Sequence, residues 1–185
     1  AGAEIPADVA RLSVRAVLAT LREAPELLEA LRQAGRLPAA GWKLTPELLQ
    51  ALLAEVPVEG DPVRGERVFR RSAIQCLKCH AIGGAGGRVG PDLVSIGASA
   101  PLDYLVEALL DPNRKIKENF HSLLVETEEG RVYTGIPVRE SKTELVLRDV
   151  ADRRITILRD SIENQSPGRS LMPDGIVDTL TRREL

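Results

Sequence analysis

Residues 76–80 read Cys-Leu-Lys-Cys-His and hold both of the chain's cysteines and one of its two histidines. Two thiols spaced by two residues can add across the two vinyl groups of a haem. A histidine directly after the second thiol then lies under the iron as its proximal ligand. Other chemistries fit this string less well. Structural zinc needs four ligands, usually Cys or His. Cys76, Cys79, His80 and His121 make four, but His80 follows Cys79 directly, and adjacent side chains rarely converge on one ion. A dithiol redox pair calls for a neighbouring βαβ unit. Here residues 69–75 read as a helix end, and Gly83, Gly84, Gly86 and Gly87 mark a loop. One covalently bound haem c is the expected cofactor, with thioethers at Cys76 and Cys79 and His80 as proximal ligand.

Composition narrows the partners. The 185 residues suit one or two domains, and a net charge of -2 argues against nucleic acid as a partner. Aromatics make up only 3% of the chain, so a haem would supply much of the large apolar surface they normally provide. No apolar run nears the roughly 18 residues of a membrane span, so no direct span is expected. No signal peptide is recognisable at Ala1, as in a mature chain or a cut fragment. Haem attachment of this kind takes place outside the cytoplasmic membrane, which implies a periplasmic or extracytoplasmic location.

Along the chain, residues 1–57 read as a helical region, a bundle or the end of a repeat array. Val14, Val17, Leu18 and Leu21 form one apolar stripe. Pro25 opens a second helix and Gly35 stops it. Thr45 caps a third, with Leu48, Leu49, Leu52 and Leu53 on one broad face. Trp42 reads as a core or interface plug. Val56–Gly60 reads as a linker, and Asp61-Pro62 starts a helix that places Gly65 and Phe69 on one face. A glycine there would permit close approach of another backbone, or is simply exposed. After the haem motif, the glycines before Pro91-Asp92-Leu93 read as a loop wrapping a haem edge. The Gly-Lys-Ser/Thr of a phosphate loop is missing. Pro101–Leu110 is the next helix. Residues 121–165 then alternate in the manner of four or five short strands, expected as a small antiparallel SH3- or Sm-like barrel. Its acids and bases nearly balance. Thr181 and Glu184 have the spacing of a capping box, with Leu180 and Leu185 as its hydrophobic staple.

A haem held by His80 has a sixth position to fill. Met172 is the only methionine, and its thioether is a soft ligand that would raise the haem potential. His121 and an open site are the alternatives; ordinary packing is the other reading of Met172.

Asp61-Pro62 with Gly65 and Phe69, the haem motif, Gly90-Pro91-Asp92-Leu93 and Leu171-Met172-Pro173, in that order, resemble a class I cytochrome c. His80 and Met172 lie 92 positions apart; without the β segment the gap falls to 48, a usual separation. The arrangement is similar to the haem-binding domain of the planctomycete–verrucomicrobial type. The resemblance implies a mainly α fold, a cytochrome c helical fold interrupted by the barrel. Residues 59–120 would be the haem-attaching part, 121–165 the insertion, and 166–185 the methionine loop and the start of a C-terminal helix. It further implies that the Pro91 carbonyl accepts the second N–H of His80, that Met172 is the distal ligand, and that Leu93 lies in the haem site. Gly65 and Phe69 would cross the C-terminal helix. Arg88 would pair with a haem propionate, or be merely solvated.

The function expected is a single-electron carrier rather than an enzyme in its own right. Its redox partners would be a dehydrogenase domain or protein as donor and another cytochrome or an oxidase as acceptor. The alternative is a haem-based ligand sensor with an open sixth position and the β segment as output or docking surface. A third is an interaction scaffold in which the haem is only an anchor.

Overall fold

The computed structural model describes residues 4–38 and 41–185, which fall into two compact units. The first comprises Ala1–Ile74, Leu109–Asp111 and Asp174–Leu185; the second comprises Gln75–Ala108 and Pro112–Pro173.

The first unit is helical: α1 (Ala7–Ala19), α2 (Pro25–Ala34), α3 (Pro46–Glu59) and α4 (Pro62–Phe69). Three of these helices begin with proline at their first position, where its missing N–H costs no hydrogen bond. Thr45 Oγ1 accepts from Leu48 N–H at 3.2 Å, and Asp61 Oδ1 accepts from Val63 and Arg64 N–H at 2.9 and 3.0 Å. Both side chains thereby satisfy donors that a helix start leaves unpaired. The expected linker is absent: α3 runs through Pro57 to Glu59, and only Gly60 and Asp61 separate it from α4. Pro57 has no N–H to donate to the carbonyl four residues back, so the α3 ladder lacks one bond near its end. The buried face of α1 is Ala10, Arg11 and Val14, whereas Leu18 and Leu21 face solvent, against the stripe read from the sequence. Gly65 is exposed and a Cβ on it would meet nothing, so the expected helix crossing over Gly65 is not present.

Turns of residues 174–185 pack on these helices. Trp42 donates its backbone N–H to Asp178 Oδ1 at 3.0 Å and its indole N–H to the Leu180 carbonyl at 3.2 Å. The guanidinium of buried Arg11 stacks over the indole, 4.0 Å from the ring centre.

The second unit holds a short helix α5 (Cys76–Cys79), a two-stranded hairpin β1 (Ala81–Ile82) and β2 (Ala85–Gly86), α6 (Ile96–Ser99) and most of α7 (Leu102–Leu110). Five further strands follow: β3 (Leu123–Thr127), β4 (Val132–Glu140), β5 (Glu144–Arg148), β6 (Arg154–Leu158) and β7 (Ile162–Pro167). They form one antiparallel sheet in the order β6-β5-β4-β3-β7. Val125, Leu145, Leu147 and Ile157 are its buried centre, with Leu123, Tyr133, Ile155 and Ile162 against them.

This corrects the expected fold class. With 36% helix and 19% strand the chain is α+β rather than mainly α, and no closed barrel is found among the described residues. The turn Arg159–Ser161 redirects the chain after β6, so β7 pairs with β3 at the other side of the sheet. The edges β6 and β7 are not paired with one another, and the sheet stays open.

Candidate functional site

The Cys76–His80 motif sits on the single turn α5, entered through Gln75 at φ 58°. The turn is closed by His80 N–H donating to the Cys76 carbonyl at 2.9 Å. Cys76 and Cys79 are three positions apart, so both project from the same side of the turn. Both are free and half-buried. Burial pushes the Cys76 thiol up, as does the neighbouring Cys79, against a backbone hydrogen bond. Burial also pushes the Cys79 thiol up; Lys78 opposes it and Asp152 adds to it. Raised thiols are the reverse of what a redox pair arranges. The zinc set is not assembled either: among the described residues no three His, Cys, Asp or Glu side chains converge as a metal site.

His80 Nδ1 lies 2.9 Å from the Pro91 carbonyl oxygen. A carbonyl can only accept, so Nδ1 donates, and Nε2 is left with its lone pair available to a metal. The ring is also held from the side: a Cβ on Gly90 would fall 2.5 Å from its Cε1 and 2.7 Å from its Nδ1. Three backbone bonds bring the loop to this place. Gly87 N–H donates to the Leu77 carbonyl at 2.9 Å, Gly90 N–H to the Cys79 carbonyl at 2.7 Å, and Leu93 N–H to the Ala81 carbonyl at 2.8 Å.

Asp92 organises the same loop. Its carboxylate accepts from the N–H groups of Gly83, Gly84 and Val94 at 3.1, 2.8 and 2.9 Å. The bonds from Val94 and Gly84 hold its carboxyl below the usual range. Gly83 and Gly84, at φ 60° and 82°, make the tight turn between β1 and β2 where an open loop was expected. Sequence reading quoted Asp92 but gave it no role; its place directly after Gly-Pro, two residues before an N–H it accepts, was the available signal.

Leu93 is half-buried beside β1, and Arg88 is exposed with its backbone N–H 3.3 Å from Asp152 Oδ2. Met172 is half-buried in the loop after β7, its N–H donating to Ser170 Oγ at 3.2 Å. That loop is tied down twice. Asn113 Oδ1 accepts from Ser170 N–H at 2.9 Å, and fully buried Ser122 donates to the Arg169 carbonyl at 2.5 Å. Neither Asn113 nor Ser122 was singled out from the sequence, because both act on residues about fifty positions away. His121 is exposed at the foot of β3. The structure therefore joins His80, Gly90 and Pro91 directly and puts Cys76, Cys79, Arg88, Leu93 and Met172 in the same unit.

The donor set fits a haem. Two free thiols on one turn and an imidazole whose Nδ1 is engaged by a carbonyl suit covalent attachment and axial ligation. No helix among the described residues is long and apolar enough to cross a membrane. Compared with known proteins, the chain matches no family model and no curated sequence.

Proposed function

We propose that this chain is a monohaem c-type electron-transfer module. The observation that carries this reading is the 2.9 Å bond from His80 Nδ1 to the Pro91 carbonyl, directly after two half-buried free thiols on one turn. Haem c, when bound, supplies one-electron chemistry. The chain's own residues do the rest. Cys76 and Cys79 hold the group, His80 presents Nε2, and Pro91 with Gly90 fixes the ring against rotation. The Met172 thioether would supply the second axial ligand, from a loop that Asn113 and Ser122 keep in place. Two protein ligands held rigidly leave little to reorganise when the charge changes, which suits electron transfer. The partners we propose are a dehydrogenase donor and a cytochrome or oxidase acceptor, with the chain outside the cytoplasm, where thioether attachment occurs.

The test is to express the chain with a c-type maturation system. Haem should remain bound after acid–acetone extraction, and the oxidised protein should show a weak far-red charge-transfer band that Met172→Ala abolishes. Ready binding of carbon monoxide to the reduced protein, with no such band, would replace the carrier by a ligand-binding module.

A further inference from the structure

The turn between β5 and β6 reaches the haem-attachment loop within the second unit. Asp149 builds this turn: its carboxylate accepts from the N–H groups of Ala151 and Arg153, both at 2.9 Å, and from Arg153 Nε at 2.7 Å. Asp149 and Arg148 are both buried, at 6% exposure each, so the turn is fixed rather than loose. It drives Asp152 into the left-handed region at φ 61°. Aspartate is one of the few non-glycine residues that adopt this conformation, yet glycine would adopt it more easily. The carboxylate that the turn presents is held by two donors. One is the Arg148 guanidinium through Nη1; the other is the backbone N–H of Arg88 at 3.3 Å. Arg88 lies in the stretch that Gly87 and Gly90 tie back to Leu77 and Cys79.

We propose that Asp152 is a positioning residue for the haem site: it pins the attachment loop at Arg88 and, through that contact, sets a fixed negative charge against the loop that favours the oxidised haem. This gives the β segment a task within the electron carrier, and it rests on the reading of Cys76–His80 as a haem-attachment site. The sign follows from electrostatics. Oxidised iron carries one more positive charge than reduced iron, so a nearby carboxylate stabilises the oxidised form.

The experiment is spectroelectrochemical titration of the haem-loaded chain, with Asp152→Asn, Asp152→Gly and Asp160→Asn compared to the parent. Asp152→Gly serves as the variant that keeps the fold, since glycine accepts the positive φ without strain. Both Asp152 variants should be about tenfold more reduced at a fixed potential, a shift of about 59 mV for a one-electron couple. Asp160→Asn, the same charge removed at the other end of β6, should shift little. In the haem-free chain the Arg88 amide should exchange faster in both Asp152 variants. A parent chain that binds no haem overturns the haem reading and this proposal together. Bound haem with unchanged potential in both Asp152 variants overturns the proposal alone. Loss of haem from both variants makes Asp152 a structural brace and likewise overturns it.

Discussion

Gly90 and His80 show how little side-chain space the proximal side of the site has. A methyl group at position 90 would lie 2.5 to 2.9 Å from three atoms of the imidazole. The ring cannot slide away without giving up its 2.9 Å bond to Pro91. Gly90→Ala is therefore expected to cost about 1–3 kcal/mol of stability in the haem-free chain, measured by urea denaturation. In the loaded chain it should broaden the haem spectrum toward mixed ligation. Unchanged values in both would mean that the ring has room to move. At this scale the sequence is legible only where a residue type has one dominant use. Cys76, Cys79 and His80 are legible because thiols and imidazoles at that spacing do few other things. Gly90 stands among several glycines, and nothing in the string marks it as the one under the ring. Asp152 is hidden likewise, as one acid in a polar turn, because its partner Arg88 lies more than sixty positions away.

Among the elements, the loop carrying Met172 depends on the foot of the sheet. Ser122 precedes β3 and is fully buried, and its hydroxyl donates to the Arg169 carbonyl just beyond β7. The pairing of Leu123 with Pro167 sets that register, so the sheet itself determines where the methionine loop begins. Ser122→Ala removes a buried donor and should cost about 1–2 kcal/mol. In a local opening, about 1.4 kcal/mol corresponds to a tenfold change, so amide exchange of residues 169–172 should speed up about tenfold. Equal exchange in both proteins would show that the loop is held by other contacts alone. Element starts were the most legible part of the fold, because proline with Thr45 or Asp61 before it is a local signal. The sheet's strands were legible from alternation, but its closure was not. Alternation says which residues face the core, whereas an open or closed sheet depends on where β7 pairs, a contact between segments far apart in sequence. The stripe read on α1 holds only in its first half: Val14 is buried beside Ala10 and Arg11, whereas Leu18 in the last turn and Leu21 beyond the helix are exposed, because which turns of a face are covered depends on distant segments such as the one carrying Trp42.

For the molecule as a whole, one carboxylate of the first unit stands out as a source of acid sensitivity. Glu184 accepts from Arg15 at 2.8 Å and from Thr181 N–H at 3.1 Å, and pairs with Arg71 at 2.7 Å. Burial by itself would raise its carboxyl, but the bonds from Arg15, Thr181 and Arg71 outweigh that and hold it at about 2, below the ordinary 4.5. The bond to Thr181 is the legible half of this arrangement, a capping-box contact three residues long. The arginines come from α1 and from just after α4, and no local pattern announces them. A carboxyl whose folded pKa is depressed stabilises the fold fully above its unfolded value and progressively less as pH falls through its folded value. Glu184 should thus contribute about 1–2 kcal/mol at pH 7, after allowance for solvent screening, and lose this between about pH 4.5 and 2. Asp178 works in the opposite sense, because burial raises its carboxyl despite the Trp42 N–H it accepts, so the parent's pH curve mixes the two. Glu184→Gln separates them. The parent should be the more stable by about 1–2 kcal/mol at pH 7, and the two curves should converge near pH 2. Trp42 is the only tryptophan and is bonded to Asp178 and Leu180 in the same C-terminal turns, so its fluorescence follows this unit's unfolding in denaturant. A difference between parent and variant that stays constant from pH 7 to pH 2 would show that Glu184 stabilises by packing and hydrogen bonding without its charge.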